Sequence, residues 1–508
     1  MNPGHRTRLQ IALLASAFVT PGASAQSRPA SLGIFHDQAD VGTLLHPGSA
    51  SYDAASSTYT LTGSGANMWV AEDDFHFAWK KASGDIFVSA DVALTGYTGN
   101  PHRKAVLMIR QSLDAASPAV DIALHGNTLA ALQFRLTPGG TDHEVEFALA
   151  PRRLRLEKRG DFFYAFAAGT DNKLQPTGAS IKLPLTGDYY IGIGVCAHDK
   201  DATTTATFHN VKLAPLAASS TKPVLWSALE TVPIASTDRH VVYTAPAHFE
   251  APNWSRDGSY FLFNRDGGIY RLPVDADIKP TAPARIPTGP QTHCNNDHGL
   301  SPDGATIAVS DSSTPGKSLV YTVPIAGGTP KQITTVAPSY WHSFSPDGQT
   351  IAFTSTRDNN SDVYTIPAAG GQERRLTTDP GIDNGPDYSP DGQWIYFNSE
   401  RWGGMQIGRM HPDGSSPDQV LTTETTDWFP HISPDGQWMV FLSYEKGVKG
   451  HPADKDVTVN LMSLADKKTK VLATLLGGQG TINVPSWSPD STKIAFVSYQ
   501  YLTDDPRD

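Results

Sequence analysis

The sequence is poor in cysteine and in charge, and these shortages exclude several classes of protein. Only two of its 508 residues are cysteines, Cys196 and Cys294, and neither lies in a C-x-x-C or zinc-ligand pattern. We place them in different domains, which favours two free thiols over a disulfide. Charged residues make up 18% of the chain and the net charge is −11, so a nucleic-acid partner has no electrostatic basis. Packed secondary structure must therefore stabilise the fold.

Long apolar runs are also scarce, and the one near the N-terminus is typical of an export signal. Arg6 and Arg8 precede the apolar residues 11–19, a run too short to span a bilayer. Small residues at 23–25 then offer a cleavage site before Gln26. We predict a signal peptide over residues 1–25, no membrane span, and a soluble periplasmic or secreted protein. A buried N-terminal helix is the alternative.

Glycine and proline are abundant, with 44 and 38 residues, which indicates short strands and many turns. Over residues 31–213, alternating apolar and polar segments such as Gly84–Leu94 are broken by Gly, Asn and Asp. This pattern predicts an antiparallel β-sandwich. Residues Arg159–Asp161, with the sequence RGD, predict a hairpin turn between two strands.

Two stretches of this first half, LRLEKRGDFFYAF (154–166) and YYIGIGVCAHD (189–199), carry a family resemblance. They resemble the concanavalin/laminin-G-like sandwich domains that are often joined to carbohydrate-active proteins. The resemblance implies a saccharide face to which Trp69, Trp79 and His102 could belong. Packing in the core or at a sheet edge is the alternative for these side chains.

Residues 214–222 form a linker rich in small residues, and an internal repeat follows over 223–508. The sequence SPDG or a close variant begins at six serines, with spacings of 46, 44, 44, 44 and 55 residues: Ser255, Ser301, Ser345, Ser389, Ser433 and Ser488. In each unit an aromatic or aliphatic residue precedes the serine. The Asp-Gly pair supplies the positive φ that a tight turn needs.

Each unit predicts four short strands, which is one blade of a β-propeller. The last unit stops after its second strand, while the segment ahead of Ser255, including Arg239–Pro246, supplies strands that the last unit lacks. Pairing of the N- and C-terminal strands would close the ring and leave no open sheet edge. We therefore predict an all-β protein with a six-bladed propeller.

Over residues 240–500 these units closely resemble the TolB-type, WD40-like PD40 propeller repeat. TolB is a periplasmic protein that binds protein partners in the Tol–Pal envelope system, so the resemblance implies a binding role. TolB carries a small α/β domain ahead of its propeller, whereas this chain carries the predicted sandwich. Related propellers also occur in glycan-degrading systems, and oligogalacturonate lyases use a seven-bladed form with a histidine-bound metal.

The two faces of the propeller differ in the sequence of their loops. The SPDG turns share one face and are uniform. The segments that precede the first strand of each unit open on the other face and vary among units. Proline usually stands three places before the serine, but His298 and His342 take that place in two adjacent units. Because ligands bind at propeller channel mouths, this variable face is the predicted site. The insertion Gly447–Asp456 could form a lid over it.

Imidazoles near carboxylates suit acid–base chemistry, and arginines suit an anionic sugar. As catalytic candidates we take two histidines and three carboxylates: His298, His342, Asp297, Glu400 and Asp427. As substrate-binding candidates we take residues on the same face: Glu250, Asn296, Trp341, Arg357, Asp383, Arg401, Trp428, His431 and Asn483. The alternative is structural, with the histidines satisfying backbone groups at the channel rim and the arginines bridging blades.

Two functional hypotheses follow. In the first, the protein binds an oligo- or polysaccharide and cleaves it as a lyase or a glycoside hydrolase. In the second, it is a non-catalytic envelope scaffold that binds a protein partner, as TolB does. No cofactor is expected, with a divalent metal at the histidines as the alternative.

Overall fold

The computed structural model describes Met1 and residues 31–96, 98–216, 222–274 and 282–503. Two compact units are present, Met1–Ser31 and Leu32–Asp508. The predicted signal peptide falls in the first unit, and beyond Met1 it lies outside the described residues. Every regular element of the described residues is a β-strand, as predicted for an all-β protein. No helix among them is long and apolar enough to cross a membrane.

The N-terminal region contributes sixteen strands. In chain order they are β1 (Asp37–Val41), β2 (Ser49–Asp53), β3 (Thr58–Gly63), β4 (Met68–Trp69), β5 (Glu72–Asp73), β6 (Phe75–Ala82), β7 (Ile86–Leu94), β8 (Lys104–Arg110), β9 (Ala119–His125), β10 (Leu129–Arg135), β11 (His143–Leu149), β12 (Arg153–Arg159), β13 (Phe162–Ala168), β14 (Gln175–Lys182), β15 (Tyr189–Cys196) and β16 (Thr204–Pro215). β4 and β5 form a separate two-stranded sheet.

The other N-terminal strands belong to two sheets that share one core. One contains the strands in the order β1-β6-β15-β8-β9-β10-β11, and the other is ordered β14-β13-β12-β7-β16-β3-β2. Alternate apolar residues of both sheets, such as Val88 and Leu107, are fully buried in a single cluster. The concanavalin/laminin-G-like assignment and the boundaries 31–213 stay predictions. Of the predicted linker, residues 217–221 lie outside the described part.

Local turn chemistry follows the sequence. β12 and β13 pair with Arg159 opposite Phe162, so the predicted hairpin is confirmed, and Gly160 adopts a φ of 55° at its turn. The thiols of Cys196 and Cys294 are free and buried, as predicted. Burial raises the pKa of Cys196 to about 11 and that of Cys294 to about 12, so neither is a reactive thiolate near neutral pH.

The repeat region begins with β17 (Val224–Pro233) and β18 (Arg239–Ala245) and ends with β39 (Lys493–Leu502). Between them lie five four-stranded sheets in simple chain order. Their strands are β19 (Phe249–Trp254), β20 (Tyr260–Arg265), β21 (Gly268–Pro273), β22 (Ala284–Ile286); β23 (Cys294–Leu300), β24 (Thr306–Thr314), β25 (Lys317–Pro324), β26 (Lys331–Gln332); β27 (Ser339–Phe344), β28 (Thr350–Arg357), β29 (Asn360–Pro367), β30 (Arg374–Arg375); β31 (Asp383–Tyr388), β32 (Ile395–Ser399), β33 (Gln406–Met410), β34 (Asp418–Gln419); and β35 (Thr426–Ile432), β36 (Trp438–Tyr444), β37 (Ala453–Ser463), β38 (Thr469–Gly478).

The SPDG motif closes the first hairpin of each blade. In the third unit, Ser345 Oγ donates to Asp347 Oδ1 (2.6 Å) and accepts the backbone N–H of Thr350 (2.9 Å). The backbone N–H of Gln349 donates to the same Asp347 oxygen (3.0 Å), and Gly348 has a φ of 70°. Serine, aspartate and glycine are thus needed for the turn itself. The motif marks a blade and carries no further chemistry.

The ring closes as predicted, by pairing β17 with the C-terminal strand β39. The prediction of six separate blades is wrong, because the described residues form five. β18 pairs in parallel with β11, so β18, β17 and β39 extend the first N-terminal sheet to ten strands. In the sixth repeat unit, residues 481–486, which precede the serine, form no strand. An isolated β-bridge joins Trp487, the next residue, to Ile494 of β39.

Candidate functional site

The innermost strand of each of the five blades contains a β-bulge. The pairing register shifts inside β19, β23, β27, β31 and β35, each time within the segment before the serine. Ala251, Gly385 and Phe429 take positive φ values of 56°, 63° and 54° at equivalent places in their bulges. A bulge adds one residue to a strand and re-aims its side chains. The variable segments are therefore irregular backbone within an otherwise regular repeat.

A cavity of about 640 Å³ lies where these segments meet the insertion, on the face predicted to hold the site. We call it the channel-mouth chamber. Its wall comes from the inner strands of several units and includes Asn295, Asp297, Tyr340, His342, Asn384, Trp428, Phe429 and Asn483. Its roof is formed by residues of the insertion, Lys449 to Ala453, together with Gln479. The volume suits a small ligand or a few residues of a peptide.

The roof contacts the wall through aromatic rings. The His451 imidazole meets the Trp428 ring edge-on at a centroid distance of 4.5 Å and the Phe429 ring at 5.1 Å. His451 Nδ1 is also hydrogen-bonded to the Gln479 side chain. The Tyr444 hydroxyl donates to the Pro452 carbonyl (3.1 Å). The insertion thus lines the chamber and is packed against its wall, while its role as a lid stays a prediction.

Burial shifts the pKa of each of four titratable groups of the chamber in the direction that favours its neutral form. Burial raises the pKa of Asp297 to about 7 and lowers that of His342 to about 3. The pKa of His451 is lowered for the same reason. Tyr340 also has a raised pKa, caused first by burial and then by the neighbouring Asp297. His342 is therefore neutral at neutral pH, whereas Asp297 changes its charge near pH 7.

Two polar atoms of the wall are left without a partner. Nδ1 of His342 and Nε1 of Trp428 have no hydrogen-bond partner among the described residues, although the two residues are only 3% and 1% exposed. Unsatisfied buried polar groups are rare in folded proteins and are costly when nothing pairs with them. Both residues line the chamber, so a ligand there can reach these atoms.

Of the predicted site residues, four line the chamber: Asp297, His342, Trp428 and Asn483. The structure places Trp341 elsewhere, in the lining of a smaller cavity of about 260 Å³ at the SPDG end of the channel. Glu250 and Asn296 lie beside the chamber, where Asn296 Nδ2 and Asn264 Nδ2 donate to the Glu250 carboxylate at 3.4 and 3.0 Å.

Two predicted histidines are enclosed in the blades. His298 is fully buried, and burial lowers its pKa to about 4 beside the backbone of Asn295 and Asn296. His431 bonds through Nε2 to the Ile482 carbonyl (2.8 Å) and through Nδ1 to Asp387 (3.4 Å). The contacts of His431 agree with the structural alternative, in which the histidines satisfy backbone groups at the channel rim, whereas neither ring nitrogen of His298 has a hydrogen-bond partner among the described residues.

Two predicted carboxylates are engaged outside the chamber. Asp427 accepts hydrogen bonds from the hydroxyl groups of Thr423 (2.6 Å), Thr425 (2.8 Å) and Ser443 (2.6 Å). Glu400 is exposed, and its Oε2 accepts the backbone N–H of Ile382 (3.0 Å). Neither lines the chamber with His342.

The predicted arginines are paired within their own blades. Arg357 donates to Glu373 (3.3 Å) and to the backbone carbonyls of Pro338 (2.8 Å) and Val336 (2.9 Å). Arg401 forms ion pairs with Asp383 (2.7 Å) and Asp379 (3.0 Å). Arg357 thus contacts both oxygens of one carboxylate, whereas Arg401 joins two aspartates, and charge-assisted hydrogen bonds of this kind stabilise the local structure.

Sequence reasoning missed several residues that line the chamber, among them Tyr340, Asn384, His451 and Gln479. The position five places before the serine of a unit was the sequence signal that could have identified chamber residues. Four of them occupy it: Tyr340, Asn384, Trp428 and Asn483. Throughout the described ranges, no three His, Cys, Asp or Glu side chains are grouped so that they could hold a metal ion.

The aromatic residues singled out in the N-terminal region have different neighbours. Trp79 packs edge-on against Tyr190 at 4.8 Å, and Trp69 lies 5.5 Å from the Lys104 ammonium. His102 is exposed and neighbours His198 at a centroid distance of 5.5 Å. The packing alternative fits Trp79.

Fold and site together define a β-propeller protein with a covered chamber at one channel mouth. Residues 335–474 match the family model of the TolB beta propeller domain, PD40. An uncharacterized protein of Agrobacterium fabrum is 48% identical over 273 residues, which cover 54% of this chain and 92% of the relative. The solved structure of a TolB-like protein from Agrobacterium tumefaciens is 47% identical, with a TM-score of 0.53, over 55% of this chain and 99% of that one. The chain belongs to the TolB-type β-propeller family.

An oligogalacturonate lyase solved with manganese is also similar in fold, at 12% identity and a TM-score of 0.34 over 57% of this chain and 96% of that one. Similarity of this size does not transfer the lyase reaction to the chain.

Proposed function

We propose that this chain is an exported, non-catalytic binding protein of the TolB type that receives a segment of a protein partner in the channel-mouth chamber. The observation that carries the proposal is the pair of buried, unpartnered donor or acceptor atoms in the chamber wall, at His342 and Trp428. A peptide brings both N–H and C=O groups to such a surface.

Three features favour binding over catalysis. The chamber wall includes one carboxyl group, Asp297, whereas glycoside hydrolysis by two carboxylates needs a pair. The arginines that would neutralise a uronate are paired inside their blades. The glycan hypothesis therefore has less support than the scaffold hypothesis, which agrees with the family of the chain.

Export is part of the proposal, and it is supported by the pattern of residues 6–26. Sequencing of the N-terminus of the mature protein tests it. We expect the mature chain to begin at Gln26, and a chain that keeps its first residues would contradict export by this route.

Site-specific photo-crosslinking tests the binding role. A benzoylphenylalanine at Lys449, an exposed residue of the chamber roof, should crosslink to one protein partner in extracts of the producing cell. The same probe at Lys467, a turn residue outside the chamber, is the control. The partner is then made in recombinant form and its affinity is measured by titration.

A matched pair of variants decides whether the chamber is the binding site. Trp428→Phe keeps an aromatic ring and removes the Nε1–H donor, and we expect about a tenfold loss of affinity for the partner. Trp394→Phe changes a tryptophan that stacks on His411, outside the chamber, and should leave the affinity unchanged. Glycan binding that Trp428→Phe abolishes, with no protein captured, would overturn the proposal in favour of the glycan hypothesis.

A further inference from the structure

The carboxyl group of Asp297 has no positive charge to pair with. It is 6% exposed, and its Oδ2 accepts a hydrogen bond from Asn295 Nδ2 (2.8 Å). Among the described residues, no Lys, Arg or His side chain forms an ion pair with it. The ion pairs of the blades involve other carboxylates, such as Glu250, Glu373, Asp383 and Asp387. A second carboxylate, Glu250, is close enough to raise the pKa of Asp297 further. An ionised carboxylate buried in this way is costly unless something supplies a counter-charge.

The surroundings of Asp297 in the chamber suit a cation. The aromatic rings of Tyr340, Trp428 and Phe429 line the same cavity, and an ammonium ion is attracted to the faces of such rings. The amide side chains of Asn295 and Asn384 also line this cavity, and Asn295 holds the Asp297 segment in place, since its Oδ1 accepts the backbone N–H of Asp297 (3.0 Å).

The other charged or titratable groups facing the chamber do not compete for this role. His342 and His451 are neutral because burial lowers the pKa of each. Lys449 lies on the roof and is exposed to solvent. Glu250, from the neighbouring inner strand, adds to the negative potential at Asp297.

We propose that the ligand of the channel-mouth chamber presents a primary ammonium group to Asp297, against the aromatic wall of Tyr340, Trp428 and Phe429. This inference rests on the proposed function, since it names the group of the protein partner that the chamber recognises. The ammonium belongs to a lysine side chain or to a free amino terminus of the partner, two sources with the same chemistry.

Three capped tripeptides separate these sources. Acetyl-Ala-Lys-Ala-amide carries the ammonium on a side chain, and Ala-Ala-Ala-amide carries it at the amino terminus. Acetyl-Ala-norleucine-Ala-amide carries none and matches the lysine peptide in apolar length. Titration of each into the full chain at pH 8, where the lysine side chain is fully and the amino terminus about half protonated, is followed by NMR. After correction for the protonated fraction, one ammonium peptide should bind at least about tenfold tighter than the norleucine peptide.

Two variants, each of which removes one negative charge, test whether the preference for the ammonium peptide arises at Asp297. Asp297→Asn removes the chamber carboxylate with almost no change in shape and should abolish the preference for the ammonium peptide. Asp358→Asn removes a surface carboxylate that is 90% exposed and should leave the preference intact. Lowering the pH from 8 to 5.5 should weaken the preference in the unmodified chain, because Asp297 becomes protonated while the ammonium keeps its charge.

Equal binding of the norleucine peptide, or no binding of either ammonium peptide, would overturn this inference. Retention of the preference in Asp297→Asn would overturn it as well. None of these results decides the proposed function, because crosslinking at Lys449 tests partner binding independently of ligand charge.

Discussion

At the scale of single residues, two aspartates of the inner strands show that the hydrogen-bond partners of a side chain determine whether it serves the fold or a cavity. Asp297 and Asp427 precede the serines of different units, and burial raises the pKa of both. Asp427 is satisfied by three hydroxyl donors, so it serves the blade that contains it. Asp297 has an amide donor and faces a cavity. Residue type does not separate them, and although Asp297 lies four places and Asp427 six places before its serine, the difference in role comes from the residues that fold against each.

Asp297 should make the stability of the protein depend on pH. Its pKa of about 7 lies above the ordinary value of 3.8, so its contribution to stability is complete below pH 4 and is lost as the pH rises through 7. Asp297→Asn should therefore be more stable than the parent at pH 8, by up to about 4 kcal/mol, and equal to it near pH 4. Urea unfolding at the two pH values measures this. An unchanged difference between pH 4 and pH 8 would contradict it.

Asp427 should affect stability without affecting ligand binding. Asp427→Ala leaves the hydroxyl groups of Thr423, Thr425 and Ser443 without their acceptor, and we expect a loss of about 2–4 kcal/mol. Affinity at the chamber should stay within about twofold of the parent, as measured below the unfolding transition. Thr425→Val, which removes one of the three hydroxyl donors to Asp427, should cost less than Asp427→Ala.

At the scale of elements, the blade was predictable and the bulges were not. The serine spacing and the Asp-Gly turns are local signals, and each SPDG turn is closed by residues within five positions of its serine. A bulge is a property of a strand pair, because it depends on how an inner strand registers with its neighbour. The sequence therefore predicted correctly that the variable segments lie before the serines. It could not predict which side chains the bulges direct into the chamber.

A glycine in one inner strand allows two blades to meet. A side chain at Gly299 would overlap the indole ring of Trp341 in the next blade, which is 1% exposed and cannot yield easily. Gly299→Ala should cost about 1–3 kcal/mol through this overlap. Gly404→Ala is the control, because nothing lies within 4 Å of the added methyl group, and it should be neutral or slightly stabilising. Equal effects of the two substitutions in thermal unfolding would rule out the contact as the cause.

At the scale of the whole molecule, the N-terminal region and the propeller share a sheet. Parallel pairing of Val145 with Arg239 joins β11 to β18, and contacts such as Gln500 Nε2 to the Gly178 carbonyl (2.6 Å) reinforce the junction. A parallel pairing between strands about ninety residues apart depends on tertiary contacts, so no local sequence pattern predicts it. This is why the repeat count predicted six blades while the sixth unit became part of another sheet.

A buried ion pair at this junction should couple the two regions. Glu230 on β17 accepts a hydrogen bond from Ser498 on β39 (2.5 Å) and lies 3.3 Å from Arg239 on β18. Arg239→Met leaves Glu230 buried without its cation and should cost about 3–5 kcal/mol. The double variant with Glu230→Gln should recover part of that loss, as measured by denaturant unfolding. A double variant no more stable than Arg239→Met would show that the charge of Glu230 is not the cause.

The parallel pairing of β11 with β18 also bears on the order in which the chain is made. β17 can pair with β39 only after β39 has been synthesised. The contact between Glu230 on β17 and Ser498 on β39 spans 268 residues, so ring closure depends on a contact of high sequence separation. During synthesis the β17–β18 hairpin leaves the ribosome long before its final partner, and an exposed strand edge invites aggregation. Because β11 has already been synthesised, it covers one of the two edges of that hairpin in advance. We therefore expect the N-terminal region, through the pairing of Val145 with Arg239 and Glu146 with His240, to hold the start of the ring until its last strand is made.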